Sequence, residues 1–255
     1  MNTIRISLFT ATLAFSLSMN PAMAETETPT LEAAPVVESA ATMTKSPVDP
    51  WERFNRSMFR FNDGADKILL KPLATAYIKL TPGFFRQGVG NVLSNVLEIP
   101  SVFNGVLQGN FRGAAHDTGR LLLNSTLGLA GVFDVAQYMN LKHDDHEDFG
   151  QTLAVWGVDA GPYMILPFLG PSNLRDTTAM PVDWYTDPTT YIDHIPTKNT
   201  VRAASLLNAR ANIIPLEKSL TGDKYVFLRE AYLQRRNFLV NNGVVEDSFG
   251  EEEEE

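Results

Sequence analysis

DPWERFNRSMFRFN, residues 49–62, is the first stretch of the chain with a regular helical pattern. Asp49 can cap a helix, and Pro50 suits a first helical turn, where a missing N–H costs nothing. Apolar side chains then recur at spacings of three and four, which places them on one helix face. They are Trp51, Phe54, Met58 and Phe61. The opposite face is basic and carries Arg53, Arg56 and Arg60.

A helix with an apolar stripe and a basic back fits two structures. In the first, the stripe docks on a protein core and the arginines are solvated, which is the commoner use of an amphipathic helix. In the second, the helix lies in a membrane interface, with its rings among acyl chains and its arginines toward anionic headgroups. The pattern of this helix alone favours the first structure.

The composition is that of an ordinary globular protein. The 255 residues are 44% hydrophobic and 20% charged, which suffices for one large domain or two small ones. The formal net charge of −9 argues against a nucleic-acid partner. The absence of cysteine excludes disulfides, thiolate metal sites, a cysteine nucleophile and N-terminal lipidation through cysteine.

The two ends of the chain differ from its middle. Residues 1–24 have the basic start, apolar centre and Ala-Met-Ala end of a cleavable secretory signal. Residues 25–48 lack aromatic side chains and predict a flexible linker. Residues 49–242 then form one folded domain, and the acidic tail 243–255 is expected to be disordered.

Helical patterns dominate the folded part, which predicts an all-α domain. The segments with such patterns are 73–80, 84–99, 101–108, 111–127, 199–210 and 223–240. Pro100 is expected to end or kink its helix. The uncharged run 121–133 is too short to span a membrane and predicts a buried core helix.

A second apolar region, residues 151–170, is predicted to form a hairpin. Its arms are residues 153–156 and 163–169, and a strong turn signal lies between them. This turn is formed by Gly157, Val158, Asp159, Ala160 and Gly161. A glycine at each side of the tip would let the hairpin hinge, although a plain structural turn fits the spacing better.

The sequence contains no pattern typical of catalysis. It lacks a nucleophile elbow, a phosphate-binding glycine loop, a dinucleotide fingerprint and a zinc-protease motif. His143 and His146 lie in an acidic loop that could hold a metal ion, but such loops are usually only solvated, and we predict no metal and no cofactor. The apolar content without a spanning segment points to lipid handling or partner binding.

Motifs spread along residues 49–242 resemble the MlaA (VacJ) family of outer-membrane lipid-asymmetry proteins. In the opening stretch they are Asp49-Pro50, Phe54-Asn55-Arg56 and Phe61-Asn62. Further along they occupy 107–109, 123–128, 131–136, 149–153, 157–158, 161–163, 166–168 and 174–176, and they end with Arg229-Glu230-Ala231-Tyr232-Leu233-Gln234-Arg235.

The resemblance implies a ring-like, all-helical domain on the periplasmic face of the outer membrane, with an amphipathic central channel. Through it, misplaced outer-leaflet phospholipids would pass to the periplasmic carrier MlaC. The implied partners are phospholipid, that carrier and a trimeric porin, with no catalysis. A soluble periplasmic lipid-binding protein and a porin-associated scaffold are the alternatives, and a lipase comes last.

The resemblance also assigns roles to particular residues. It places the membrane contact on the first helix, at Trp51, Phe54, Arg56, Met58, Phe59 and Phe61. It makes residues 157–161 a mobile hairpin loop that controls the pore. This chain departs from the family at Asp159 and Ala160, and it lacks the cysteine that family members usually carry after the signal. Attachment to the membrane would then depend on the fold or on a porin.

Overall fold

The computed structural model describes residues 48–143, 145–217 and 222–243. The predicted signal, nearly all of the linker and residues 244–255 of the predicted tail lie outside these ranges. In chain order the helices of the described part are α1 (Glu52–Ala65), α2 (Lys71–Leu80), α3 (Gly83–Leu107), α4 (Phe111–Thr126), α5 (Phe149–Val155), α6 (Leu174–Thr186), α7 (Ile195–Glu217) and α8 (Lys224–Val240). A π-helical turn, Asp66–Leu70, joins α1 to α2, and short 3-10 turns occupy Ala136–Met139 and Pro188–Tyr191.

The described part also contains a two-stranded antiparallel sheet between α5 and α6. Its strands are β1 (Tyr163–Leu166) and β2 (Gly170–Asn173), with Tyr163 opposite Asn173. The all-α prediction is confirmed, since this hairpin is the one piece of sheet in the described ranges. No helix there is both long enough and apolar enough to cross a bilayer.

Helices α3 and α4 form a helical hairpin that organises the centre of the structure. A three-residue connection joins them, and Gly109 within it has a φ of +77°, which favours glycine. The helices approach closely because Gly105 faces Ala114, and a Cβ at Gly105 would lie 3.3 Å from that of Ala114. Pro100 does not end its helix, so that part of the prediction is wrong. Helix α3 continues through Pro100 to Leu107.

The interior of this hairpin is charged. Arg120 on α4 donates from Nε to Glu98 Oε1 on α3 at 2.9 Å and from Nη2 to Asp134 Oδ2 at 3.1 Å. The side chains of Arg120 and Glu98 are 3% and 2% exposed. Burial would raise the pKa of Glu98, but His146 and Arg120 outweigh burial and lower the pKa. Removing one partner of such a buried ion pair strongly destabilises a protein, because the other charge stays buried without a partner.

Apolar side chains, by contrast, face outward. Among the described residues, polar and charged side chains outnumber apolar ones in the interior. Some of the largest apolar side chains are at least half exposed: Ile68, Leu80, Phe84, Phe111, Leu129 and Tyr138. This is the reverse of a water-soluble domain, and contiguous exposed apolar surface marks an interaction site.

The prediction of a buried core helix over residues 121–133 is therefore wrong. Helix α4 ends at Thr126, and Leu122, Leu127 and Phe133 are 59%, 58% and 57% exposed. The buried positions of α4 are Ala114, Asp117, Arg120 and Asn124, and Leu122 is turned outward.

Helix α1 also docks through polar side chains. Asn55 is fully buried; its Nδ2 donates to Asp49 Oδ1 at 2.7 Å and to Tyr163 O at 3.1 Å, and its Oδ1 accepts from Ile165 N at 2.9 Å. Two turns later, Asn62 donates to Leu166 O at 2.9 Å and accepts from the backbone of the hairpin turn. The favoured interpretation, in which the apolar stripe docks on a core, is therefore wrong for Trp51, Phe54 and Phe61, which are exposed, and holds only for Met58, which packs against a buried cluster.

Candidate functional site: an amphipathic cavity

A cavity of about 360 Å³ opens between α3, α6, α7, α8 and the residues before α5. Part of its wall is apolar and consists of Leu93, Val96, Leu97, Met180, Val201 and Leu239. Another part is charged and contains the carboxyl groups of Asp145, Glu147, Asp148, Asp176, Asp183 and Asp187 and the guanidinium groups of Arg202, Arg235 and Arg236. One compartment therefore offers both an apolar surface and a set of charges to a single ligand.

Arg236 on α8 fixes the charged part of the wall. Its Nη1 and Nη2 donate to the carboxylate of Asp148 at 2.5 and 2.7 Å, and its Nε donates to Asp176 Oδ2 at 2.5 Å. Tyr232, one turn earlier, donates to the same Asp176 oxygen at 2.7 Å. Burial would lower the pKa of Arg236, but the two carboxylates outweigh it and raise the pKa. This network joins α8 to α6 and to the start of α5.

Asp183 is a carboxyl of the wall that no arginine neutralises directly. Its Oδ1 accepts from the backbone N–H of Phe149 at 2.8 Å. Burial, reinforced by the negative charge of Asp148, raises the pKa of Asp183 to about 7. The charge of the cavity wall therefore changes close to neutral pH.

The predicted membrane-contact residues of α1 do not line the cavity, and they divide into two groups. Trp51, Phe54 and Phe61 are 44%, 54% and 47% exposed and form an outer apolar surface. Phe61 also makes an edge-to-face contact with Phe168 at the tip of the sheet hairpin, with ring centroids 5.0 Å apart.

The other three face the protein. Met58 and Phe59 pack against the buried cluster that contains Tyr225. Arg56 bonds to Glu52 Oε1 at 2.7 Å and Asp223 Oδ2 at 2.8 Å, and its guanidinium lies 4.4 Å from the Tyr225 ring centroid. Since Arg56 is held by these partners, it contributes to the packing of α1 on α8.

The predicted hairpin has a different structure. Its first arm is helix α5 rather than a strand, and the actual turn of the sheet lies after Leu166, where Phe168 has a φ of +61°. Residues 157–161 instead connect α5 to β1, and none of them lines the cavity. Gly157 and Gly161 have φ of +88° and +67°, which explains the two glycines.

Arg175 fastens this connecting loop to the start of α6. Its backbone N–H donates to Ala160 O at 3.1 Å, and its Nη1 donates to Val158 O at 3.4 Å. The Arg175 side chain is buried, so the loop is attached to the helix that supplies part of the cavity wall.

The two histidines of the acidic loop lie beside the α3–α4 hairpin. His146 Nε2 is 3.0 Å from Ser94 Oγ, and the rings of His143 and His146 are in edge contact. The part of the chain that the structure describes contains no group of three or more histidine or acidic side chains placed to hold a metal ion.

Sequence reasoning missed the charged part of the cavity wall. Asp176 and Arg235 belong to the family motifs and Asp148 follows the histidines of the acidic loop, but no spacing in the sequence brings these three residues to one cavity. The signal that could have found Asp148 is its position directly before Phe149, because it caps α5 by accepting from Gln151 N at 2.8 Å.

Comparisons with known proteins agree with this architecture. The family model described as MlaA lipoprotein matches residues 47–239. The intermembrane phospholipid transport system lipoprotein MlaA of Escherichia coli strain K12 is 34% identical over 211 residues, which cover 80% of this chain and 83% of the relative. An uncharacterized protein of Rickettsia prowazekii is 36% identical over 192 residues, covering 74% of this chain and 76% of that protein.

A solved structure shares the fold. It comes from work on the structural basis for maintenance of bacterial outer membrane lipid asymmetry, and it matches with a TM-score of 0.65 and 34% identity. The match covers 76% of this chain and 99% of the solved chain. With the family model spanning nearly the whole folded part, this chain belongs to the MlaA lipoprotein family.

Proposed function

We propose that this protein maintains the lipid asymmetry of a bacterial outer membrane by removing phospholipids from the outer leaflet and passing them to a periplasmic carrier. The observation that carries the proposal is the cavity with an apolar and a charged wall. A phospholipid has the same two-part chemistry, since its acyl chains need apolar surface and its headgroup needs charged or polar partners.

The apolar exterior supports a location in the membrane. Trp51, Phe54 and Phe61 of α1 are exposed, as are apolar side chains of α3 and α4. Exposed apolar surface of this extent is unfavourable in water but favourable against acyl chains. We assign the protein to the periplasmic face of the outer membrane, and this exterior provides attachment without a lipidated cysteine.

We infer the partners from the cavity and from the apolar exterior. Lipid leaving the cavity requires a periplasmic acceptor, for which we propose the carrier MlaC, and the apolar exterior offers a surface for a trimeric porin. We further propose that residues 157–161 control passage. Their attachment through Arg175 supports this role, because α6 also carries Met180 and Trp184 of the cavity wall.

The proposed process moves a lipid without changing its covalent structure. The curated relatives with a functional name are named as transport-system lipoproteins. Two carboxylates of the cavity, those of Asp148 and Asp176, are bonded to Arg236, an arrangement that suits binding and positioning. We therefore propose transport without catalysis.

The test is the amount of phospholipid in the outer leaflet of intact cells, measured by its accessibility to an added phospholipase. Deleting the gene should raise that amount, and restoring it should return the amount to the parental level. An unchanged outer leaflet in the deletion strain would contradict the proposal. Recovery of the protein in the periplasmic fraction with bound phospholipid would favour a soluble carrier instead.

A further inference from the structure

The three arginines of the cavity wall differ in how their charge is used. Arg236 is saturated by Asp148 and Asp176, and Arg235 donates from Nη2 to Asp145 Oδ1 at 2.7 Å. Arg202 on α7 lines the same cavity but makes no hydrogen bond or ion pair with any residue that the structure describes. It is therefore the cation of the wall whose donors are still available to a ligand.

Two carboxyl groups of the same cavity wall are engaged with other partners. Asp187 accepts from the backbone N–H and the hydroxyl of Thr189 at 2.9 and 2.8 Å. Asp183 accepts from Phe149 N at 2.8 Å. Neither carboxyl bonds to Arg202, so an anionic group entering the cavity meets a guanidinium that no carboxylate of the wall occupies.

The surroundings of Arg202 also suit an amphipathic ligand. Its neighbour Val201 and the α3 side chains Val96 and Leu97 belong to the apolar part of the wall. Arg202 is only partly exposed, which reduces competition from water. A guanidinium presents parallel N–H donors that match two oxygens of one phosphate group.

We propose that Arg202 is the residue that docks the phosphodiester of a phospholipid headgroup in the cavity. This assignment rests on the proposed function and names the headgroup contact within it. The acyl chains then lie on the apolar wall formed by α3 and Val201. Because carboxyl groups outnumber arginines in this wall, a zwitterionic phospholipid is the appropriate probe.

The chain offers a reporter for the experiment, because Trp184 lines the cavity. The other two tryptophans, Trp51 and Trp156, are replaced by phenylalanine, so that fluorescence reports on Trp184 alone. The protein in detergent micelles is titrated with phosphatidylethanolamine that carries brominated acyl chains, which quench a nearby indole. Diacylglycerol with the same brominated chains provides a phosphate-free comparison.

With Arg202→Gln, the phosphatidylethanolamine concentration that gives half of the quenching should rise about tenfold, as expected for loss of one charge-assisted hydrogen-bonded contact. Quenching by the diacylglycerol should not change. Arg202→Lys should recover part of the affinity. Arg112→Gln on α4, an exposed position outside the cavity, is the matched control and should behave like the parent.

The outcomes separate the two proposals. Equal titrations for the parent and Arg202→Gln would overturn the Arg202 assignment while leaving the transport proposal intact. A parent whose Trp184 is not quenched by phosphatidylethanolamine would overturn both. Displacement of that lipid by inorganic phosphate at similar concentrations would identify a site for free phosphate and would also overturn the assignment.

Discussion

Asn55 and Asn62 each use one side chain to form hydrogen bonds with the backbone of β1 and the turn after it, as a neighbouring strand would. An amide group offers one acceptor and two donors, so it can satisfy both an N–H and a C=O of a strand edge. The unpaired edge of β1 is covered in this way at Ile165 and Leu166. Exposed strand edges are prone to pairing with other chains, and this arrangement removes that risk.

Both asparagines contact the sheet hairpin. Their spacing of seven residues is typical of a shared helix face, but it does not reveal their partners. It does not indicate that the polar face is the docked one, because burial of an amide is favourable only when its partners are present. Apart from the Asp49 carboxylate, those partners are backbone atoms more than 100 residues away, at positions 163–168.

The carboxyl of Asp183 makes a pH-dependent contribution to stability. Its pKa in the folded protein is about 7, above the unfolded value of about 3.9, so the folded state holds the proton more tightly. The stability that this carboxyl contributes is complete below about pH 4 and is lost as the pH rises through about 7.

Replacing Asp183 with asparagine keeps the acceptor for Phe149 N and removes the titration. The free energy of unfolding of Asp183→Asn should therefore exceed that of the parent by an amount that grows between about pH 4 and pH 7 and then stays constant. Chemical denaturation in detergent micelles at a series of pH values measures this difference in the free energy of unfolding. Asp193→Asn, at an exposed position, is the control, and a pH-independent difference for Asp183→Asn would contradict the account.

At the scale of one element, α4 shows why hydropathy alone does not predict which face of a helix is buried. The helix and its length are confirmed, because both depend on local pattern. Its orientation depends on its surroundings. The rule that leucine is buried holds in water, but here the outward leucines have no need of a protein core if acyl chains surround them. The inward arginine is tolerated because Glu98 and Asp134 neutralise it.

Substitutions on the two faces of α4 should therefore have effects opposite to those in a soluble helix. Arg120→Met should lower the free energy of unfolding by about 3–5 kcal/mol, because it leaves Glu98 buried without its arginine. Leu122→Ala should change it by less than about 1 kcal/mol, because the side chain is exposed and both residues favour helix.

Chemical denaturation of both variants in the same detergent gives this comparison. Arg112→Met on the same helix controls for the loss of an arginine at an exposed position and should lie close to the parent. A Leu122→Ala variant that loses as much stability as Arg120→Met would show that the apolar face of α4 packs against protein after all.

For the whole molecule, the sequence predicted the class of fold but not the cavity. The all-α class is confirmed because helical periodicity is visible in one segment at a time. The cavity requires α3, α6, α7 and α8 to meet, and the residues that join them are far apart in sequence: Arg236 on α8 and Asp176 on α6 are 60 positions apart. Periodicity contains no information about such pairs. Family resemblance supplied the expectation of a channel but not its lining.

The central claim is that phospholipid passes through this cavity, and Ser205 on α7 allows a direct test. Ser205 lines the cavity, whereas Ala203, two residues earlier on the same helix, is exposed and does not. Tryptophan at position 205 would fill much of a space of about 360 Å³, and tryptophan at position 203 would leave it open. Both variants are introduced into the deletion strain at equal membrane levels.

The measurement is outer-leaflet phospholipid in these two strains. Cells with Ser205→Trp should accumulate as much of it as the deletion strain, and cells with Ala203→Trp should match the parent. Parental levels in the Ser205→Trp strain would contradict passage through the cavity.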